Sequence, residues 1–202
     1  MNEIKHIIFD LGNVLIKIHP NKAILTFSYK CNIPIEEIKT LFLSNFHKAF
    51  MKGLYNPEEF FDIIMTKYQC SLSQSEYIDI WNEVIGKPKD GIEELIMVLK
   101  SKFTLSICSN IDPLHWKIVE QNIDFIHYFK YYFLSFQMKM IKPNLKVFSH
   151  ILNSLSTAGE QCVFIDDIQS NVKAAGKYGF HGIVANNSKQ IIKGLKKYNI
   201  EI

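Results

Sequence analysis

The sequence predicts an α/β protein in which a Rossmann-like, doubly wound parallel sheet carries a helical insertion after its first strand. From residue 90 onward, short apolar runs typical of buried strands alternate with amphipathic helical patterns, an order typical of a parallel sheet with helices on both faces. Residues 18–86 show helical patterns only. We therefore expect a core domain of residues 1–17 and 87–202 and a helical domain of residues 18–86.

The first strand is predicted at residues 6–9, an apolar run rich in β-branched and aromatic side chains. It ends at Asp10, after which Gly12 and Asn13 turn the chain. Open α/β sheets bind ligands at the carboxyl ends of their strands. Asp10 is thus a candidate ligand-binding residue, and the alternative is an Asp that only caps the strand.

The helices of the insertion are predicted from the residues of their first turns. Pro34 precedes two glutamates at 36–37, while residues 56–59 (Asn-Pro-Glu-Glu) and 73–76 (Ser-x-x-Glu) have the spacing of capping boxes. The inward faces of these helices are expected to carry Ile38, Leu41, Phe42, Phe60, Ile63, Ile64, Tyr77, Ile80 and Trp81.

The remaining elements of the core are predicted from apolar runs and from helix boundaries. Further strands are expected at residues 103–108, 131–135, 162–165 and 181–185. Helices are expected to begin at caps formed by Asp90, Asp112 and Ser188, to follow Lys142, and to end at Gly179.

Several polar residues follow these strands directly. Because crossovers in parallel sheets are right-handed, the carboxyl ends of the strands share one edge. Asp10, Ser109 and the pair Asp166–Asp167 are all predicted at such ends, and Lys142 lies in a loop that reaches the same edge. Taken singly, each could be a helix cap or a solvated loop residue, but their convergence favours a functional site.

Composition excludes some classes of function. The net charge of +3 and the lack of a basic stripe argue against nucleic-acid binding. No run approaches the roughly 18 apolar residues of a membrane span, and no signal peptide is evident. We therefore expect a cytoplasmic protein, a monomer or homodimer, in which Cys31, Cys70, Cys108 and Cys162 are reduced, with Cys108 and Cys162 in the core.

The convergent residues are suited to hydrolysis of a phosphate ester. Asp10 can attack phosphorus as a nucleophile, but a carboxylate repels a phosphate dianion unless a cation lies between them. Asp10 and Asp167, with a backbone carbonyl after the first strand, supply the oxygen ligands that Mg²⁺ prefers. Lys142, the Ser109 hydroxyl and the backbone N–H groups near Asn110 can hold the remaining phosphate oxygens.

Four motifs resemble those of the haloacid dehalogenase superfamily of hydrolases. They are F-D-L-G-N-V around Asp10, C-S-N around Ser109, K-P at Lys142, and F-I-D-D-I-Q-S-N from Phe164 to Asn171. The helical insertion lies where that family carries its first type of cap domain. Within the family, the motifs are most similar to small sugar-phosphate phosphatases, notably α-D-glucose-1-phosphate phosphatases, and to the phosphatase domain of soluble epoxide hydrolases.

The resemblance implies a role for each matching residue. Asp10 would be the nucleophile and a Mg²⁺ ligand, and the carbonyl of Gly12 would also bind the metal. Asp167 would bind it directly, with Asp166 and Asn171 in support. The transferred phosphoryl group would be held by Ser109, Asn110 and Lys142. These roles imply a Mg²⁺-dependent phosphatase acting on a small phosphorylated metabolite, such as a sugar phosphate.

One departure concerns proton transfer. Most phosphatases of this family carry a second Asp two residues after the nucleophile, where this chain has Gly12. Losing a positioned proton donor typically costs a factor of about 10²–10⁴ in rate. Either the substrate has a good leaving group, or a residue such as His47 or a bound water replaces the acid, or the protein binds phosphorylated ligands without hydrolysing them. For His47, Lys48 and Lys52, the alternative is a solvated basic face.

The 2-haloacid dehalogenases are a further alternative, because they share the fold and the Asp nucleophile and lack the second Asp. They hold halide and carboxylate with an Arg placed just after the first strand. This chain contains no Arg, and Lys cannot reproduce the planar guanidinium fork. The sequence therefore favours a phosphatase.

Overall fold

The computed structural model describes residues 3–202 and contains seven strands and eleven α-helices among them. The strands are β1 (His6–Phe9), β2 (Ile16–Ile18), β3 (Ile85–Pro88), β4 (Thr104–Ser109), β5 (Tyr131–Leu134), β6 (Cys162–Asp166) and β7 (His181–Val184). The helices are α1 (Pro20–Cys31), α2 (Ile35–Leu43), α3 (Asn45–Met51), α4 (Pro57–Tyr68), α5 (Gln74–Asn82), α6 (Ile92–Leu99), α7 (Pro113–Asn122), α8 (Ser135–Met138), α9 (Leu145–Leu155), α10 (Gln169–Gly176) and α11 (Ser188–Lys196). No helix in the described part of the chain is both long and apolar enough to cross a membrane.

The central sheet has five parallel strands in the order β5-β4-β1-β6-β7. The strand β1 is its middle strand, and His6 lies opposite both Thr104 of β4 and Cys162 of β6. The predicted α/β class with a parallel sheet is therefore confirmed. Since all five strands run the same way, the residues that follow them lie along one edge.

Alternate residues of each strand supply the two layers of the core. Ile7 and Phe9 pack on one face of the sheet with side chains of α6, α7 and α11. Ile8 packs on the other face with side chains of α9 and α10. A strand buried on both faces explains the continuous apolar run from which β1 was predicted.

Helices α1–α5 lie between β2 and β3, which form a separate antiparallel ribbon. They share a core rich in large aromatic side chains, including Phe50, Phe60, Tyr77 and Trp81. Phe50 and Phe60 stack with ring centroids 3.9 Å apart. The ribbon connects these helices to the main sheet, while the domain boundary predicted at residues 18–86 stays a prediction.

Several boundary predictions are confirmed and several are wrong. The capping boxes that begin at Asn56 and Ser73 are present. Ile63, predicted to face inward, is 40% exposed. Asp90 does not cap α6, because Gly91 adopts a left-handed conformation (φ 72°) and is itself the capping residue. The helix α11 includes Ser188, and its cap is the side chain of Asn187.

The cysteines differ from the prediction in one respect. Cys108 and Cys162 are free and buried, as predicted. Cys31, the last residue of α1, forms a disulfide with Cys70, which follows α4. The prediction that all four thiols are reduced is therefore wrong for this pair. The disulfide joins the ends of two helices of the insertion.

Candidate active site

A buried lysine bridges two carboxylates at the carboxyl edge of the sheet. The Nζ atom of Lys142 lies 2.8 Å from Oδ1 of Asp10 and 2.7 Å from Oδ2 of Asp166. It also donates a hydrogen bond of 2.8 Å to the carbonyl of Cys108. All three residues with charged side chains are less than 10% exposed. The three N–H groups of the ammonium are thus all used, and the lysine is held in a single position.

Neighbouring amides fix the positions of this lysine and of Asp166. The Asn110 side chain accepts a hydrogen bond from the Lys142 backbone N–H (2.8 Å) and donates one to its carbonyl (3.0 Å). The Asn171 amide lies 3.0 Å from both carboxylate oxygens of Asp166, and Ile168 N–H donates to one of them (2.8 Å). Because the side chain of Asn110 is occupied, a substrate contact there would use its backbone N–H.

Three aspartates form an acidic cluster around this lysine. One carboxylate oxygen from each of Asp10, Asp166 and Asp167 lies within 4.8 Å of the others. Burial raises the pKa of Asp10 to about 6, since the nearby Lys142 only partly offsets the cost of a buried charge. Burial and the charge of Asp166 also raise the pKa of Asp167. Clustered carboxylates of this kind are a suitable donor set for a hard divalent cation such as Mg²⁺.

The positive charge of Lys142 is stabilised by the same cluster. Burial by itself would lower the pKa of this ammonium, but the Asp10 carboxylate, Cys108 and Asp166 raise it overall. A lysine that stays charged can also attract an anionic group. The edge of the sheet therefore holds a fixed cation beside carboxylates that themselves favour a further cation.

A cavity of about 280 Å³ opens over this cluster. The predicted site residues that line it are Asp10, Gly12, Ser109, Asn110, Lys142, Asp167 and Asn171. Asp166 is fully buried and reaches the cluster through its bond to Lys142. The structure thus brings all the predicted residues to one place, and their individual roles stay predictions.

A second buried ion pair borders the cavity and was not predicted. His115 Nδ1 lies 2.7 Å from Oδ2 of Asp112, and its Nε2 lies 2.8 Å from the carbonyl of Trp81. The Trp81 indole N–H also donates to Asp112 (3.2 Å). Asp112 was predicted only as the cap of α7, a role it has. The sequence signal was a His three residues after a capping Asp, which places both side chains on one turn of helix.

Replacing Asp112 with Asn should destabilise the protein by about 3–5 kcal/mol near pH 5, since it leaves a buried charge unpaired. Burial opposes both charges, but their attraction lowers the pKa of Asp112 and raises that of His115. The pair therefore contributes fully above the unfolded Asp pKa of 3.8 and below the unfolded His pKa of 6.5. Above pH 6.5 its contribution declines as His115 loses its proton.

Urea unfolding of both proteins at pH 5, 7 and 9 measures this effect. The exposed Asp79 of α5 provides a matched control, because Asp79→Asn should leave stability unchanged. A loss for Asp112→Asn that is as large at pH 9 as at pH 5 would contradict the charged pair.

His47 is placed differently from its neighbours. It is only 8% exposed, whereas Lys48 is exposed and Lys52 is half-buried. Its ring lines the cavity and packs against Phe42 and Trp81, and its Nδ1 lies 2.8 Å from the Phe42 carbonyl. A solvated basic face is therefore wrong for His47 and holds for Lys48.

Several known proteins are similar to this chain. A family model described as haloacid dehalogenase-like hydrolase matches residues 4–179. Flavin mononucleotide hydrolase 1 of Arabidopsis thaliana is 26% identical over 164 residues, 76% of this chain but only 62% of that relative's length. A sesquiterpene phosphatase of Aspergillus oryzae is 24% identical over 191 residues, 91% of each chain.

One solved structure is also similar over most of the chain. It is a HAD-family enzyme from Bacteroides thetaiotaomicron in complex with magnesium and inorganic phosphate. The two chains superpose with a TM-score of 0.80 at 28% identity, covering 89% of this chain and 92% of that one. The likeness therefore includes the region that corresponds to the helical insertion as well as the sheet.

Proposed function

Because the chain belongs to the haloacid dehalogenase-like hydrolases, we propose that it is a Mg²⁺-dependent phosphatase of small phosphorylated metabolites. The observation that carries this proposal is the contact of 2.8 Å between Lys142 and the buried carboxylate of Asp10, beside the acidic cluster. A carboxylate and an ammonium so placed can attack a phosphoryl group and hold its oxygens.

In the proposed reaction, a carboxylate oxygen of Asp10 attacks phosphorus, and the bond between phosphorus and the alcohol oxygen breaks. The alcohol leaves with a proton, and the phosphoryl group stays on Asp10 as an acyl phosphate. Water then attacks this phosphorus, which releases inorganic phosphate and restores the carboxylate. The Ser109 hydroxyl holds the transferred oxygens in both steps, and Lys142, whose three N–H groups are already used, stabilises them by its positive charge.

Asp10, Asp167 and the carbonyl of Gly12 would hold the magnesium ion, with Asp166 and Asn171 fixing the surrounding side chains. When bound, the ion would offset the negative charges of the phosphate and the carboxylates. Burial, with a smaller effect of the Asp166 charge, raises the pKa values of Asp10 and Asp167, and a bound cation would offset this cost of holding charged carboxylates in the site.

The leaving alcohol needs a proton. Gly12 has no side chain that could donate it. A substrate with a good leaving group, such as an anomeric or acyl phosphate, would need little help. A bound water is the other source. His47 is less suited, because burial lowers its pKa and its Nδ1 proton is bound to the Phe42 carbonyl. A dehalogenase is disfavoured because no guanidinium is available to bind halide and carboxylate.

Hydrolysis of 4-nitrophenyl phosphate with and without magnesium tests the proposed function. We expect turnover with Mg²⁺ and loss of turnover in excess EDTA, restored by added Mg²⁺. Borohydride added during turnover should reduce the acyl phosphate and label residue 10, which mass spectrometry of peptides detects. Halide release from 2-chloropropionate without added metal, or rates indifferent to Mg²⁺, would contradict the proposal.

A further inference from the structure

The part of the cavity away from the acidic cluster is lined mainly by apolar side chains. Within the described chain, the ribbon and the helical insertion contribute eight lining residues, from Ile16 to Ile85. Seven of them are apolar: Ile16, Ile18, Pro20, Phe42, Met51, Val84 and Ile85. The eighth is His47. The group attached to a bound phosphate would therefore contact mainly apolar side chains.

The polar side chains on this side have few free hydrogen-bonding atoms. Asp112 accepts from the backbone N–H groups of Leu114 and His115 and from the Trp81 indole, and it pairs with the His115 ring. The second nitrogen of His115 already contacts the Trp81 carbonyl. Neither residue has an atom left for a substrate hydroxyl.

His47 retains one such atom. Its Nδ1 contacts the Phe42 carbonyl, which can only accept a hydrogen bond, so Nδ1 carries a proton. Its Nε2 is buried and has no hydrogen-bond partner among residues 3–202. A buried polar atom without a partner is costly. Because Nε2 is also closed off from solvent, it could bind at most one polar group of a ligand, and only if the ring shifts.

The volume also limits the ligand. A cavity of about 280 Å³ is at or below the lower end of the range for small-molecule sites, which starts near 300 Å³. It must hold the phosphoryl group as well as the alcohol. An extended nucleotide would have to protrude from it into solvent.

We propose that the site selects a compact, largely apolar alcohol as the organic part of its phosphate ester, with at most one hydrogen-bonding group facing His47. This inference rests on the proposed function. It departs from the sugar phosphate that the sequence resemblance implied. Each hydroxyl group of a polyol would lose its hydrogen bonds to water on binding and find no new partner in the cavity. Methylene groups, in contrast, gain binding free energy when they are transferred from water to an apolar site.

A matched pair of five-carbon esters tests the inference. Pentyl phosphate and ribitol 5-phosphate share a chain length and differ in four hydroxyl groups. We expect kcat/KM to be at least about 100-fold higher for pentyl phosphate, since several unpaired buried hydroxyls separate the two substrates. A ribitol 5-phosphate rate equal to or above that of pentyl phosphate would overturn the inference and leave the phosphatase intact.

A substitution in the cavity sharpens this test. Met51→Gln keeps the size of a lining side chain and adds an amide, so it should reduce the preference for pentyl phosphate about 10-fold. The control is Met97→Gln on α6, where Met97 is 45% exposed and does not line the cavity. It should leave the preference unchanged. An equal effect in both variants would contradict a direct role of the cavity.

Binding of phosphonates separates this inference from the proposed function, because phosphonates are not hydrolysed. Calorimetry with Mg²⁺ should show pentylphosphonate binding at least about 10-fold more tightly than the phosphonate with four hydroxyls on the same chain. If pentylphosphonate binds more tightly but no ester is hydrolysed, the proposed phosphatase function is refuted and the preference of the cavity for an apolar group is supported. Equal affinities would refute the apolar site, whatever the catalytic outcome.

Discussion

Replacing Asp10 with Asn should reduce kcat for aryl phosphate hydrolysis by about 10⁴-fold or more, since removing a catalytic nucleophile has effects of this size. The amide keeps the shape of the side chain but cannot form an acyl phosphate. The variant should still fold, because Lys142 retains its ion pair with Asp166. Steady-state kinetics in saturating Mg²⁺ measure the loss, and circular dichroism checks the fold.

The control for this variant is Asp62→Asn, which removes an exposed carboxylate from α4. Its kcat should match that of the unmodified protein. A protein that only binds phosphorylated ligands would show the same trace rate before and after the Asp10 substitution. Retention of a tenth of the activity by Asp10→Asn would exclude Asp10 as the nucleophile.

Replacing Lys142 with Met should affect both stability and activity. Two buried carboxylates would lose their partner, and breaking a buried ion pair typically costs about 3–5 kcal/mol. The phosphoryl oxygens would also lose their fixed cation, for which we expect a decrease in kcat/KM of about 10³-fold, comparable to loss of an oxyanion-hole donor. Urea unfolding and steady-state kinetics measure the two effects separately.

The pH dependence identifies the cause of the destabilisation. Without the ammonium, the folded-state pKa of Asp10 should rise further above the unfolded value. The folded state then binds more protons than the unfolded state, so the variant gains relative stability as the pH falls from 7 towards 4. Lys146→Met, which removes an exposed charge from α9, should show neither effect. A pH-independent loss in Lys142→Met would point to packing instead.

Local patterns predicted much of the sheet and the position of the site. The apolar run before Asp10 predicted both ends of β1 correctly. A strand that is buried on both faces and followed by a turn appears in the sequence as a short, continuous apolar segment. The strand predicted at residues 103–108 lies one residue later in the structure, at Thr104–Ser109. The predicted haloacid dehalogenase-like family and the hydrolase class are confirmed by the family match. Strand ends carry this information because parallel topology brings them together.

Features that depend on tertiary packing could not be predicted. Cys31 and Cys70 are 39 residues apart, one at the end of α1 and the other after α4, so nothing in their spacing indicated a disulfide. His47 is next to an exposed lysine in sequence, and only the aromatic rings of Phe42 and Trp81 from other helices show that it is buried. The partner of Asp112 could be suspected from His115, but Trp81 joins them only in the folded chain.

The position of β1 has a consequence for how the protein is made. It is synthesised well before its two neighbours in the sheet, which begin at Thr104 and Cys162. Until then the nascent chain carries an unpaired apolar strand, a state that invites aggregation. Co-translational folding of the sheet must therefore wait until β6 has emerged, so ribosome-bound chains that stop before β6 should depend on chaperones.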